Sequence, residues 1–256
     1  SPTRRISKGL TKDFPAIQHL VPMLSLDNSY NSKDLIDFDR RARELTRKAK
    51  IEYCVEPKFD GAGISLIYEH DLLVRAATRG DGFTGDEITN NIRQIRSVPL
   101  SAKFSDYGIK QIEIRGEVLI NKKNFKKNNE QLIERGLPPF ANPRNASAGS
   151  LRLKDPSEVK KRNLEAFVYH ISFFATLPGK KAAGQLSRHS TSIDMLWNLG
   201  FHSPQKEKKV VKGIERVIKY CNEYEKKRDH LPYEIDGMVV KVDDLVLQDQ
   251  LGKTSH

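Results

Sequence analysis

The hydrophobic positions first outline a helix in the early part of the chain. Apolar residues recur there at alternating steps of three and four, which places them on one face of a helix. These positions are Leu35, Phe38, Ala42, Leu45 and Ala49. Ser32 precedes the stripe and is predicted to cap the helix. We expect the apolar face to lie against a sheet.

A different pattern, of short β-branched and aromatic runs, extends over residues 53–78. It predicts two strands joined at a polar turn near His70 and Asp71, which together form an antiparallel hairpin. A third strand is predicted over residues 111–120, where apolar and polar residues alternate. Ile112, Ile114 and Val118 then share one face, and Glu113, Arg115 and Glu117 share the other.

The later part of the chain continues this mixture of helices and strands. Asn121 opens a basic helix that we expect to end near Gly136, because glycine adopts the left-handed conformation that follows many helices. A further helix is predicted over residues 209–228 and a final strand over residues 234–244. The fold class predicted is therefore α+β, with antiparallel sheets and flanking helices. Turn residues are spread widely, which favours one continuous domain over residues 1–256.

Composition narrows the class of protein. Hydrophobic residues make up 38% and charged residues 30% of the chain, so neither a disordered tail nor a membrane protein fits the whole sequence. No stretch approaches the roughly 18 apolar residues of a membrane span, and the opening SPTRRISKGL lacks an apolar signal core. We expect a cytoplasmic protein. Cys54 and Cys221 form no CxxC pair, so neither a disulfide nor a protein metal site is predicted.

The net charge is strongly positive. The chain has 44 basic and 33 acidic residues, a formal charge of +11. Such an excess favours a polyanionic partner through counterion release, but lysine clusters also serve solubility. Charge alone therefore leaves a nucleic-acid partner and a merely solvated surface open.

A candidate chemical site lies in EPKFDG, residues 56–61. In an extended strand, Glu56, Lys58 and Asp60 project from one face. A lysine amine is a nucleophile only when it has lost its proton; neighbouring cations or burial lower its pKa, and carboxylates raise it. These residues alone favour a surface ion-pair cluster over a catalytic site.

Further motifs change that interpretation. TRGDG (78–82), RGE (115–117) and DGMVVK (236–241) follow KxDG in order. The set resembles the covalent nucleotidyltransferases, the superfamily of ligases and capping enzymes. TRGDGFTGDEITNNIRQIRSVP and PPFANPRNASAGSLR resemble the NAD-dependent DNA ligases in particular. The resemblance covers nearly the whole chain, including VPMLSLDN at residues 21–28.

The resemblance implies a role for each matching residue. Lys58 would attack the α-phosphorus of NAD, release nicotinamide mononucleotide (NMN) and hold AMP, with Asp60 orienting it or assisting through Mg²⁺. Glu56 would accept a hydrogen bond from the adenine amine. Glu117 would bind the ribose, with a cross-strand contact to Arg115 or another basic residue as the alternative.

The remaining matches concern the base, the phosphates and DNA. Tyr169 would stack on adenine, although a core tyrosine is also open. Arg79 would contact the nucleotide, and Lys241 would bind phosphate and lower the pKa of Lys58, unless Lys241 simply reaches solvent. Ser25 and Leu26 would contact the nucleotide, and the alternative for them is an ordinary loop. Arg144 and Arg152 would contact phosphate or DNA, and the alternative for them is the capping of helix ends.

Members of this family are longer, so the chain is expected to be a nucleotidyltransferase domain truncated at both ends. NAD and Mg²⁺ are the implied cofactors, with zinc only in a separate module. Nicked double-stranded DNA is the implied partner of a monomeric enzyme. The chain by itself is expected to retain mainly adenosine binding. Competing hypotheses are an ATP-dependent ligase core, a basic nucleic-acid-binding module without catalysis, and a structural fragment with residual adenine binding.

Overall fold

Antiparallel sheets form the framework of the protein. The computed structural model describes residues 10–11, 13–24 and 28–252. Within these ranges, strand order is β4-β3-β6-β7 in the large sheet, β8-β2-β9 in the small sheet, and β1-β5 in a ribbon. The strands are β1 (Ala16–Gln18), β2 (Glu52–Phe59), β3 (Ala62–Glu69), β4 (Leu72–Thr78), β5 (Thr84–Asp86), β6 (Ile109–Leu119), β7 (Glu165–Thr176), β8 (Lys209–Lys212) and β9 (Ile235–Val242).

Helices flank the sheets, so the α+β prediction with antiparallel sheets is confirmed. They are α1 (Ser32–Thr46), α2 (Thr89–Ile92), α3 (Lys122–Glu134), α4 (Pro143–Leu151), α5 (Pro156–Lys161), α6 (His189–Asn198), α7 (Ile214–Glu225) and α8 (Leu245–Gly252). Short 3₁₀ turns lie at Phe104–Tyr107, Gly184–Ser187 and Arg228–His230.

Each of the two larger sheets buries one face against helices. Ile64 of β3, Ile114 of β6 and Leu196 of α6 belong to the larger apolar core. Tyr53 of β2, Ala42 of α1 and Val217 of α7 belong to the smaller one. Burial of such side chains stabilises the fold by roughly 1.5–3 kcal/mol each. Because side chains alternate along a strand, Glu56 and Lys58 of β2 and Glu117 of β6 point away from these cores.

Strand β7 departs from regular pairing with β6 at Tyr169. Arg115 pairs with His170 and Gly116 pairs with Val168, so Tyr169 is an extra residue without a ladder partner. Such a bulge interrupts the alternation of side chains. As a result, the consecutive residues Tyr169 and His170 both reach the polar side of the sheet, where they contact Glu117 and the ring of His189.

Several predicted elements are confirmed. The hairpin turn lies at His70 and Asp71, which have φ values of 47° and 66°. Asn121 caps α3, and Gly136 follows that helix with a φ of 68°. The third strand runs from Ile109 to Leu119, close to the predicted bounds.

Other predictions were wrong in detail. Asn31, not Ser32, caps α1, because its side chain accepts from the amides of Lys33 and Asp34. The helix ends at the left-handed Arg47, so Ala49 lies beyond it. Leu45 is 55% exposed and does not join the apolar face.

Two errors concern the last third of the chain. Residues 209–212, predicted to begin a helix, form β8 at the edge of the small sheet, where they pair with residues 52–55 of β2. Helix α8 was not predicted; Leu247 and Leu251 pack it against the smaller core.

Candidate functional site

Because Glu56 and Lys58 are two residues apart on β2, both side chains lie on the same side of the small sheet, the side that faces the large sheet. Lys241 of β9 bridges the two sheets, since its Nζ lies 2.7 Å from Glu56 Oε1 and 3.3 Å from the carbonyl oxygen of Tyr169. We call the set of Glu56, Lys58, Glu117, Tyr169 and Lys241 the intersheet site. The strand pattern thus brings together residues up to 185 positions apart.

Lys58 has a carboxylate as its partner. Its Nζ donates to Asp236 Oδ2 at 2.5 Å, and the two side chains are 44% and 37% exposed. Asp236 precedes Gly237, which lies opposite Lys58 in the ladder between β2 and β9. Lys241 was predicted to lower the pKa of Lys58, but Lys241 is itself paired with Glu56. Lys58 is therefore half-exposed and held by a neighbour from the DGMVVK motif.

Glu56 is fully enclosed and ionised. Burial opposes its ionisation, but the charges of Lys241 and His189 and the hydrogen bonds from both lower its pKa to about 2. Its second oxygen, Oε2, lies 3.0 Å from His189 Nε2. An ionised carboxylate only accepts hydrogen bonds, so His189 Nε2 must carry the proton. Burial and the charge of Lys241 lower the pKa of His189, whereas the Glu56 carboxylate raises it.

These contacts bear on the roles expected for Lys241. The resemblance implies a phosphate partner, yet Glu56 already balances the charge of Lys241. Nor does Lys241 reach solvent freely, because its side chain is only 12% exposed. Its Nζ also lies 5.5 Å from the centre of the Tyr169 ring, within the range of a cation–π contact.

Glu117 and Tyr169 form a pair on the large sheet. The Tyr169 hydroxyl donates to Glu117 Oε2 at 3.3 Å. Burial raises the pKa of Glu117 to about 7, against the lowering effect of Arg144. Of the basic partners considered for Glu117, Arg115 is excluded, because its Nη2 donates to the carbonyl oxygens of Val21 and Pro22, both at 2.8 Å. Another basic residue, Arg144, acts on Glu117 instead. Tyr169 lies at the site rather than within an apolar core.

Arg79 enters the turn between β4 and β5. Its amide donates to the carbonyl oxygen of Gly63 at 2.9 Å, and Gly63 pairs with Glu117 in the sheet. The turn needs glycine at position 80, where φ is 57° and a Cβ would lie 1.9 Å from the carbonyl oxygen of Thr84. The exposed side chain of Arg79 thus starts beside the intersheet site.

The two arginines of the PPFANPRNASAGSLR segment separate in space. Arg144, in the first turn of α4, donates to Asp60 Oδ1 at 3.4 Å, and Asp60 lies two residues after Lys58. Arg152, at the other end of α4, pairs with Asp86 of β5, with its Nε 2.7 Å from Oδ2. Arg144 therefore borders the intersheet site, and Arg152 is held against the ribbon. Ser25 and Leu26 lie outside the described residues.

Sequence reasoning missed Asp236 and His189. Asp236 was visible within DGMVVK, but nothing in the motif indicated a contact with Lys58. His189 carried no local signal, since it contacts Glu56 across 133 positions of sequence.

Cys54, Glu56 and His189 were not predicted as metal ligands, yet their ligand atoms lie within 4.8 Å of one another. The arrangement suits a cation poorly, because Lys241 Nζ already lies beside Glu56 and His189. Burial also raises the pKa of the Cys54 thiol, which keeps it protonated. Cys54 and Cys221 are both free thiols, and Cys54 is the more deeply buried.

Over the described part of the chain, no helix combines the length and the apolar character needed to cross a membrane.

Comparison with known proteins defines the class to which this fold and site belong. Residues 11–256 match the NAD-dependent DNA ligase adenylation domain. The chain belongs to that family.

Relatives support the same assignment. A DNA ligase from Sulfurihydrogenibium sp. (strain YO3AOP1) is 65% identical over 100% of this chain and 36% of its own length. The DNA ligase of Persephonella marina (strain DSM 14350 / EX-H1) is 63% identical with the same coverage. That of Aquifex aeolicus (strain VF5) is 56% identical over 100% of this chain and 35% of its own length. The chain thus spans little more than a third of these relatives.

Proposed function

We propose that this chain is the nucleotidyltransferase domain in which an NAD-dependent DNA ligase becomes adenylated, with Lys58 as the nucleophile. The observation that carries the proposal is the intersheet site. There the half-exposed Lys58 shares a sheet face with the buried anion Glu56, which pairs with a second cation, Lys241, and the ring of Tyr169 from the facing sheet lies against that cation. This combination suits the base, ribose and phosphate of one nucleotide.

The proposed reaction needs Lys58 as a neutral amine. Its Nζ forms a bond to the α-phosphorus of NAD, the P–O bond to NMN breaks, and the electron pair leaves on the NMN phosphate. The amine also loses a proton in this step. The Asp236 carboxylate lies 2.5 Å from Nζ. It is therefore placed to accept a proton from Lys58, either before the attack or during it.

The adenosine part of the dinucleotide would occupy the rest of the site. We assign Glu56 to the adenine amine and Glu117 to the ribose hydroxyls, with the Tyr169 ring against the base. Glu56 suits its role because it is ionised and therefore only accepts. The remaining contacts that we propose are Lys241, Arg79, Ser25 and Leu26, of which the first two are cations suited to phosphate.

Mg²⁺ fits the carboxylates near Lys58. Asp60 raises the pKa of the buried Glu117 electrostatically, so a cation held at Asp60 would favour the ionised form of Glu117. Mg²⁺ is usually held by one or two carboxylates together with phosphate oxygens and water, and Asp60 would supply such a carboxylate while Glu117 binds the ribose. When bound, it would neutralise charge on the phosphate under attack.

In the whole enzyme, the AMP group would then activate the 5′-phosphate of a DNA nick for sealing. The charge of +11 supports contact with a polyanion. We assign Arg144 and Arg152 to phosphate or DNA, since both side chains are exposed and each pairs with a partly accessible carboxylate. For the isolated chain, adenosine binding is the main activity proposed.

Two measurements test this function. Calorimetry should detect AMP binding by the chain, and its absence would contradict the adenosine pocket. Peptide mass spectrometry after incubation with NAD and Mg²⁺ should place any AMP adduct on Lys58, although the adduct should remain below one per chain. An adduct on another lysine would exclude Lys58 as the nucleophile, and an adduct formed with ATP but not NAD would favour an ATP-dependent ligase core.

A further inference from the structure

His189 occupies a fixed position at the start of α6. Its amide donates to the carbonyl oxygen of Asp243 at 2.7 Å. The next residue, Ser190, donates to both carboxylate oxygens of Asp243, at 2.8 and 2.9 Å. Asp243 is fully buried and directly follows β9, the strand that carries Lys241. The start of α6 is therefore anchored to the end of β9.

The Glu56 carboxylate is held at both oxygens by different elements. Lys241 of β9 donates to Oε1 at 2.7 Å, and His189 of α6 donates to Oε2 at 3.0 Å. The side chains of Glu56 and His189 are each only 2% exposed. A carboxylate held at one oxygen still rotates about its terminal bond, which has a broad torsional preference. Two donors on opposite oxygens fix the plane of the group.

We propose that His189 is a positioning residue that orients the Glu56 carboxylate and thereby makes the pocket select adenine over hypoxanthine. The inference rests on the proposed function, in which Glu56 faces the base. Adenine presents an amine to Glu56, whereas hypoxanthine presents a carbonyl oxygen at the same place. Two acceptors facing each other leave a buried polar group without a donor, and a rigid site cannot turn away to relieve this cost.

Loss of the His189 donor would allow the carboxylate to rotate. AMP would then lose a well-aligned acceptor, and IMP, the hypoxanthine analogue, would meet a group that moves aside. The selectivity for AMP over IMP should therefore fall more than a general loss of affinity would explain. A donor of similar reach should restore it, and the amide of glutamine meets that requirement.

Calorimetry with AMP and IMP on the full chain at neutral pH tests this inference. His189→Ala should lower the ratio of AMP to IMP affinity about tenfold, the factor expected for one hydrogen bond to a charged group. His189→Gln should recover most of the ratio. The exposed His230 provides the matched control, and His230→Ala should leave both affinities unchanged. If circular dichroism shows that His189→Ala does not fold, His189→Asn, whose amide is too short to reach Glu56, replaces it.

The outcomes separate the two levels of the hypothesis. If the variants bind AMP with an unchanged ratio, or lose AMP and IMP equally, the positioning role is wrong and the adenosine pocket still stands. If the unaltered chain binds no AMP, the pocket itself is wrong, and the role of His189 falls with it.

Discussion

Lys241 and Glu56 form a buried ion pair between neighbouring strands, with 2.7 Å from Nζ to Oε1. Its effect on stability depends on pH. Glu56 has a folded-state pKa of about 2, below the ordinary value of 4.5. The stabilisation is therefore complete above pH 4.5 and is lost as the pH falls through about 2.

We predict that Glu56→Gln removes this acid-dependent contribution, which is on the order of 3 kcal/mol. Urea unfolding curves of the variant and the unaltered chain, recorded from above pH 4.5 down towards pH 2, check the prediction. If the difference in free energy of unfolding between the two proteins stays constant over this pH window, the neighbours of Glu56 do not lower its pKa.

Glu117 should show the opposite dependence. Its folded-state pKa is about 7, above the ordinary 4.5, so its effect is most favourable below pH 4.5 and becomes unfavourable as the pH rises through about 7. Glu117→Gln is neutral at every pH. We predict that its free energy of unfolding, relative to the unaltered chain, rises by about 2 kcal/mol across this window. A constant difference between the two proteins would contradict the burial-driven shift.

Lys58 should be dispensable for folding. Because the Lys58–Asp236 pair is substantially exposed, with side chains 44% and 37% accessible, its contribution to stability is small. We predict that Lys58→Ala changes the free energy of unfolding by less than about 1 kcal/mol while removing any AMP adduct. Chemical denaturation and mass spectrometry of the same sample check both parts. A large loss of stability would mean that the missing adduct reflects misfolding.

Gly80 sets the path of the turn that presents Arg79. Gly80→Ala would bring a Cβ to 1.9 Å from the carbonyl oxygen of Thr84, in addition to left-handed strain. We predict a loss of about 3 kcal/mol or more, measured by urea unfolding. Gly136 is the matched control, since its φ of 68° is similar but its Cβ would meet nothing within 4 Å. Gly136→Ala should cost only about 1 kcal/mol, and equal losses would exclude the clash as the cause.

The cap of α1 gives a local test. Asn31 accepts from two helix amides, whereas Ser32 lies in the first turn. We predict that Asn31→Ala lowers stability by about 1 kcal/mol and that Ser32→Ala changes it by no more than about 0.5 kcal/mol, both from thermal or urea unfolding. The reverse order would restore Ser32 as the cap.

Local chemistry explains what could be predicted from sequence. The turn at His70 and Asp71 and the bounds of α3 depend on residues close together in the chain, so their patterns were readable. The four residues of β8 were not, because a strand this short gains its stability from pairing with β2, about 150 residues earlier in the chain.

Most residues of the site could be predicted from the sequence, but the contacts between them could not. Glu56, Lys58, Glu117 and Lys241 each stand within a short motif. The pairing of Lys241 with Glu56 depends on the register between β2 and β9, which sequence patterns do not specify. The contact from His189 depends in addition on where α6 meets that sheet. The sequence pattern therefore identified candidate residues, and the tertiary structure determined which charges balance.

The bulge at Tyr169 supplies an extra residue that the sheet itself does not need. Val168 and His170 pair with the consecutive residues Gly116 and Arg115, so deletion of Tyr169 would leave a regular ladder with Val168 still on the core face and His170 on the polar face. The deletion would nevertheless remove the hydroxyl that donates to Glu117 and the carbonyl oxygen that lies beside Lys241. The large sheet should therefore tolerate the loss of this one residue better than the intersheet site does.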